Sequence, residues 1–152
     1  MIRLEKPGPL LDLWAESYRL AQHRQHTFYS FVQDPRELAI RLARHTKTHH
    51  ILCALTLHSG AALVAPFVRS TEVHAYVRGD VDAIARALDL RPVDSGGNIH
   101  LLVPQEDGVF YRTRLIKQLP VVCNTQLYLD LLHFPARGQE QADALRRQTL
   151  KY

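Results

Sequence analysis

The longest strongly apolar stretches of this chain, Ile51–Leu57 and Ala61–Val68, are separated by His58 and Gly60 and are both short. Neither approaches the ~20 residues that a membrane-spanning helix needs, so each reads as a short core-forming element and the protein as not integral to a membrane. Breakers punctuate the rest: Pro7-Gly8-Pro9, Asp34-Pro35, Pro66, Ser95-Gly96-Gly97-Asn98, Glu106-Asp107-Gly108 and Pro135. The chain has 152 residues, 46% apolar and 22% charged, which is ordinary globular composition. That length fits one domain, residues 1–152, large enough to bury a core, and the apolar content excludes disorder. Met1–Pro9 is mixed-charge without an apolar h-region, so no secretory signal is read. Cys53 and Cys123 sit inside apolar runs and read as buried, reduced thiols of a cytoplasmic protein.

Periodicity assigns the elements. Leu10, Leu11, Trp14, Tyr18 and Ala21 recur at helical steps over Leu10–Gln22, with Trp14 central to the apolar face. His26–Val32 is aromatic and β-branched and reads as a strand. Asp34 as N-cap, Pro35 at the first position and Glu37 at the third predict a helix to about His45. His49–Ala54 reads as a buried strand and Thr56 as the cap of a small-residue helix, Leu57–Ala65. Within it, Gly60-Ala61-Ala62 predicts close backbone packing. Val73–Val77 alternates as a strand, and Asp80 caps a helix through Leu88. Ile99–Val103, a segment from Val109–Tyr111 and Pro120–Cys123 complete the strands. Asn124 or Thr125 caps Gln126–His133, and Gln139–Lys151 forms the last helix. About five helices and five strands in mixed order predict one α+β domain with a mixed central sheet.

The charge is localised. Residues 19–50 hold Arg19, Arg24, Arg36, Arg41, Arg44 and Lys47 against Asp34 and Glu37, an excess equal to the +4 of the whole chain. Clustered cations are what phosphate neutralisation requires. Arg19, Arg24, Arg41, Arg44 and Lys47 are therefore the expected nucleic-acid-facing patch, positioning the protein without reading bases. The alternative is a solvated helix face with incidental arginine bias.

Catalytic motifs are sparse. The nine histidines lack cysteine or carboxylate partners at zinc-ligand spacings, so no metal and no cofactor are expected. Ser59 lies outside a GxSxG elbow, and Gly96-Gly97 precedes a strand rather than opening a helix, so it reads as a turn. Glu72, Asp80 and Asp82 flank the strand Val73–Val77. If they converged they would suit a Mg²⁺-dependent nuclease or nucleotidyltransferase, although Asp80 is also explained as a cap and Asp82 as a first-turn acid. A third reading, a protein-interaction module, requires an exposed apolar patch. Asp130 is the single acid among Leu127, Tyr128, Leu129, Leu131 and Leu132. A semi-buried Asp130–Arg137 pair is expected to hold the following turn, with Gly138 supplying a permissive backbone.

The run Asn124-Thr125-Gln126-Leu127-Tyr128-Leu129-Asp130-Leu131-Leu132, then Pro135-Ala136-Arg137-Gly138 and an Ala/Leu-rich helix, resembles the C-terminal signature of the AbiEi family. These are antitoxins of type IV abortive-infection toxin–antitoxin systems and related transcriptional regulators. Arg91-Pro92-Val93, Gly97–Pro104, Gly108–Tyr111, Ala54-Leu55-Thr56 and Pro9–Ala15 fit the same frame, so the likeness covers nearly the whole chain. The resemblance marks Gln126, Asp130, Arg137 and Gly138 as structural-motif positions and implies no catalytic residue. It implies a non-enzymatic antitoxin or regulator, DNA contact, and functional pairing with a nucleotidyltransferase-like toxin without a stable complex. Family members carry a winged helix-turn-helix ahead of this region. None precedes Trp14 here, so the likeness is expected to be to the C-terminal domain. The family's glycine after the Ala-Leu-Thr triplet is replaced by Leu57.

Overall fold

Strand β3 (Val73–Arg78) sorts the molecule into layers. Successive side chains of a strand point to opposite faces. Val73, Ala75 and Val77 pack with Leu38 and Leu42 of α2 (Pro35–Thr48) and Ile84 of α4 (Val81–Ala87). Tyr76 between them packs with the other layer: α1 (Pro7–Ser17), α3 (Leu57–Val64), α5 (Asn124–Leu132) and α6 (Gly138–Leu145). The chain is thus helices, sheet, helices, in a computed structural model that describes residues 7–151; the mixed-charge opening 1–6 and Tyr152 lie outside the described residues.

The sheet has seven strands in the order β4-β1-β5-β3-β2-β7-β6. They are β1 (Arg24–Tyr29), β2 (Leu52–Leu55), β3, β4 (Arg91–Pro92), β5 (Ile99–Val103), β6 (Arg114–Ile116) and β7 (Leu119–Val121). β3 runs parallel to β5 and β2 parallel to β7, while the other neighbours are antiparallel. This is the expected α+β domain with a mixed sheet and two more strands than expected. β5 and β3 are buried on both sides, and each fully buried Leu or Ile there contributes roughly 1.5–3 kcal/mol relative to exposure.

Caps settle where helices begin. Asp34 accepts the amide of Arg36 at 3.1 Å and Pro35 follows at the first position. Asp80 accepts from the amides of Asp82 and Ala83. Both starts fall where the sequence places them. Thr56 occupies the cap position of α3 but makes no side-chain cap, because its hydroxyl is committed elsewhere, as described below. Neither Asn124 nor Thr125 caps α5: the helix begins at Asn124 with Cys123 at the cap position.

Four other boundaries differ. α1 stops at Ser17 and a single 3-10 turn covers Leu20–Gln22. Trp14 is 55% exposed, because the stripe that reaches the core is Leu11 and Ala15. β1 lies two residues earlier than its aromatic run suggests. Asp107–Phe110 is a 3-10 turn rather than the start of a strand, with Val109 buried. The strand there is instead β6, joined to β7 by Lys117 and Gln118, both at positive φ (49° and 69°). A two-residue hairpin turn needs two positive φ values, usually announced by Asn-Gly or Asp-Gly, and Lys-Gln gives no such signal. The last helix gives way to a π-type turn at Arg146–Leu150.

Close approach governs two glycines. A Cβ on Gly60 would lie 3.1 Å from the Leu55 carbonyl oxygen and 3.2 Å from Leu127 Cδ1, and Ala61 is fully buried, so the close packing predicted for Gly60-Ala61-Ala62 holds for the first two residues while Ala62 is exposed. A Cβ on Gly138 would lie 2.1 Å from the Leu131 carbonyl oxygen. The left-handed residue at this turn is Arg137 (φ 59°), so Gly138 is required for space rather than for an unusual φ. Gly138→Ala is expected to lower stability by roughly 1–3 kcal/mol through backbone displacement. A urea titration should show this as a lower midpoint with an unchanged slope.

Candidate functional site

α2 buries Leu38, Ala39, Leu42 and Thr46 against the sheet and turns Arg36, Arg41, Arg44 and Lys47 to solvent. Arg36, Arg44 and Lys47 border a groove of 780 Å³ between α2 and the β6–β7 hairpin, and Lys117 from the hairpin turn borders it as well. Among the described residues no aspartate or glutamate lines this groove. Arg41 borders the opposite side of α2 with Arg44, His45 and His49, and is tied to Glu37 at 3.2 Å in an exposed i,i+4 pair, an arrangement worth under ~1 kcal/mol.

The other two predicted cations are elsewhere. Arg24 opens β1 opposite Val103. β1 stands three strands from β2 in the sheet order, or roughly 15 Å at ~4.8 Å per strand. Arg19 follows α1 in the other layer and donates to the carbonyls of Glu16 and Tyr18. The structure therefore brings Arg44 and Lys47 together with Arg36 and Lys117, and sets Arg19 and Arg24 apart from them. Lys117 joins the group only because β7 lies parallel beside β2, a pairing with no local signature.

Beneath the opposite face lies a buried polar cluster centred on Asp130 of α5, which is fully inaccessible. Its Oδ2 accepts from Thr56 Oγ1 at 2.5 Å and Tyr76 Oη at 2.8 Å. Its Oδ1 accepts from Gln126 Nε2 at 3.0 Å and from the Tyr18 hydroxyl. His23 Nε2 lies 3.1 Å from the same hydroxyl, and its Nδ1 accepts the Gln105 amide at 3.2 Å, so Nε2 carries the ring proton. Burial raises the Asp130 carboxyl above its ordinary range, while its four donors pull the other way. Burial and the Asp130 charge together raise both tyrosine hydroxyls. The expected Asp130–Arg137 pair does not form. Asp130 is enclosed by four donors, whereas Arg137 is exposed and binds Glu140 at 2.8 Å.

The carboxylates near β3 are also separated. Glu72 precedes the strand and binds His100 Nε2 at 2.8 Å. Asp80 follows the strand and caps α4. Seven residues of largely extended chain lie between them, a span of roughly 25 Å at ~3.3 Å per step. Joint metal contact by Glu72, Asp80 and Asp82 is thereby precluded. Among the described residues, no three or more His, Cys, Asp or Glu side chains are grouped to hold a metal ion.

The Gln126/Asp130 cluster and the Arg137-Gly138 turn lie in a frame shared with known proteins. A family model described as transcriptional regulator, AbiEi antitoxin, type IV TA system matches residues 3–151. The chain belongs to this family. No curated protein and no solved structure is similar enough to add to that assignment. The AbiEi assignment makes this an antitoxin or transcriptional regulator of a type IV toxin–antitoxin system. No helix among the described residues of this AbiEi chain is long and apolar enough to cross a membrane.

Its thiols are unpaired, and burial pushes Cys53 up to about 12, which makes it a poor nucleophile at neutral pH. A further histidine group lies under α3. His74 stacks on His100 with ring centroids 4.3 Å apart. His58 donates from Nε2 to the Ala136 carbonyl at 2.6 Å. The Nδ1 atoms of His58 and His74 are buried without hydrogen-bond partners. Burial, then His100 and His58, lower His74 to about 3.

Two measurements test this site. Asp130→Ala strands the donors of Thr56, Tyr76, Tyr18 and Gln126 and is expected to cost roughly 3 kcal/mol, read from thermal or urea unfolding. The second concerns His74, which the native state keeps neutral while the unfolded chain takes up a proton below ~6.5. That contribution to stability is present above the unfolded pKa and is lost as pH falls toward the folded value, by up to ~1.4 kcal/mol per pH unit. His74→Gln should flatten the stability profile between pH 6 and pH 4, roughly the window these pKa values define.

Proposed function

We propose that this AbiEi-family domain is a non-enzymatic, cytoplasmic antitoxin and transcriptional regulator that touches the nucleic-acid backbone along the groove between α2 and the β6–β7 hairpin. The observation that carries the reading is the composition of that groove: Arg36, Arg44, Lys47 and Lys117 border it without a carboxylate among them. Four cations from two separate elements, converging on one concave surface, match the spaced negative charge of a phosphate chain. A solvated helix face would be free to carry balancing acids. Arg41 stands on the other side of the same helix, paired with Glu37 and near Asp89, and its contact with a phosphate chain competes with those acids. These contacts fix position on the backbone and carry no sequence preference, so recognition of an operator needs base contacts from elsewhere. Arg19 and Arg24 have no part in this surface. The antitoxin role is exercised against a nucleotidyltransferase-like toxin as functional opposition, without a stable complex.

Fluorescence anisotropy against a labelled duplex and a labelled single strand tests the nucleic-acid contact. Four neutralised phosphates give a slope of log K against log salt of about −3 to −4, or roughly a hundredfold loss between 50 and 200 mM salt. R41E/R44E/K47E should abolish binding, and R19E should leave it unchanged. Binding that survives the triple substitution removes α2 from the interface.

A further inference from the structure

On the face away from α2, a groove of 910 Å³ runs between α1, the first turn of α5 and the loop before β6. Its volume lies within the range of small-molecule sites. Two aromatic rings border it, Trp14 at 55% and Tyr111 at 68% exposure, each more open than a large apolar residue normally remains. Two arginines stand among them. The Arg112 guanidinium lies 5.6 Å over the Tyr111 ring, and Arg114 donates to Asn124 Oδ1 at the start of α5. Among the described residues no aspartate or glutamate lines the groove. The residue at the α5 cap position, Cys123, gives that helix end no side-chain cap, so its first amides, next to Arg114, keep donors that the helix itself does not satisfy.

We propose that this groove binds a nucleoside phosphate, with the base stacked on Trp14 and Tyr111 and the phosphate held by Arg112, Arg114 and the first amides of α5. The chemistry of the lining selects that class of ligand. Open aromatic faces bind flat heterocycles regardless of their edge pattern. Guanidinium groups with no competing acid require an anion, and their planar fork suits phosphate oxygens. An apolar partner would desolvate both arginines without a counter-charge, and an acidic peptide would leave the rings uncovered. The side chains of Tyr18 and Gln126 also line the groove and are locked by Asp130 below, so this part of the surface is held before a ligand arrives. The site is separate from α2 and does not depend on the backbone contact proposed there.

Trp14 is the single tryptophan of the chain, so its emission reports the groove directly. Titration of the intact chain with AMP, GMP, CMP and UMP should give saturable quenching, with adenosine and with inorganic phosphate each binding at least about tenfold more weakly. In calorimetry R112Q and W14L, both at exposed positions, should each weaken binding by about tenfold, and R41E/R44E/K47E should bind as the parent does. A 5′-phosphorylated trinucleotide, offered to that triple variant to exclude α2, separates the two sources of the ligand. Tighter binding than the mononucleotide assigns a strand end, and weaker binding assigns a free nucleotide. The proposal is overturned if no nucleotide binds at millimolar concentration, if inorganic phosphate binds as well as AMP, or if R112Q and W14L leave affinity unchanged.

Discussion

The Asp130 carboxylate is the one group on which side chains from four separate parts of the chain converge. It takes hydrogen bonds from Tyr18 after α1, Thr56 between β2 and α3, Tyr76 on β3 and Gln126 one turn back on α5. An isolated buried carboxylate is expensive, and the cost falls only when its lone pairs are all occupied. Every partner is therefore bound to its place, since losing any one leaves the others facing an under-satisfied charge. The apolar contacts around it, from Leu57, Leu127, Leu131 and Leu145, supply bulk stabilisation but little direction. Hydrogen bonds at 2.5–3.0 Å set the register in which α5 lies on the sheet.

This arrangement divides the molecule into two surfaces with different support. The α2 face rests on aliphatic packing with β2, β3 and β7, and its cations stand on long, solvated side chains able to follow an extended phosphate chain. The α1/α5 face rests on the polar cluster, and its side chains are fixed from beneath. The first suits loose, salt-dependent contact; the second suits a small rigid ligand. β3 separates them residue by residue, with Ala75 and Val77 belonging to one layer and Tyr76 to the other.

Legibility in the sequence follows the range of the interaction. Asp34-Pro35 and Asp80 mark helix starts through contacts two or three residues away, and both were readable. Strand existence was readable wherever alternation or apolar runs persisted, as at β3 and β5. The Lys117-Gln118 hairpin was not, because its positive φ values are imposed by the β6–β7 pairing rather than by residues that favour them. Asp130 was visible as an acid among leucines, but its partners were not: Tyr18 lies 112 residues away, Thr56 74 and Tyr76 54. Arg137, seven positions on and opposite in charge, was the nearest local answer and the wrong one, because full burial favours several neutral donors already in the core over an arginine that would have to be desolvated. The cations are spread by the fold in the same way. Residues 19–50 put Arg19 and Arg24 in line with Arg44 and Lys47, yet in space these stand apart, and Lys117 borders the α2 groove from outside that segment.

The proton directions within the cluster follow from its edge. Gln105 N–H can only donate, so His23 Nδ1 accepts and His23 Nε2 must donate to Tyr18 Oη. Gln126 Nε2 also donates to that oxygen, at 3.0 Å. With both acceptor positions of Tyr18 taken, its own proton is left for Asp130 Oδ1. The Oδ1 side thus receives the Tyr18 hydroxyl and the Gln126 amide nitrogen, in the orientation of that amide which this network assigns. Only Thr56 and Tyr76, the two hydroxyls on Oδ2, can turn round to accept. A proton on Oδ2 makes one of them accept where it had donated, on the β3 and α3 side of the carboxyl. A turn of Tyr76 reaches the α1/α5 side as well, because its hydroxyl lies 3.3 Å from that of Tyr18, so the charge of Asp130 is coupled to the floor of the groove through the two tyrosines.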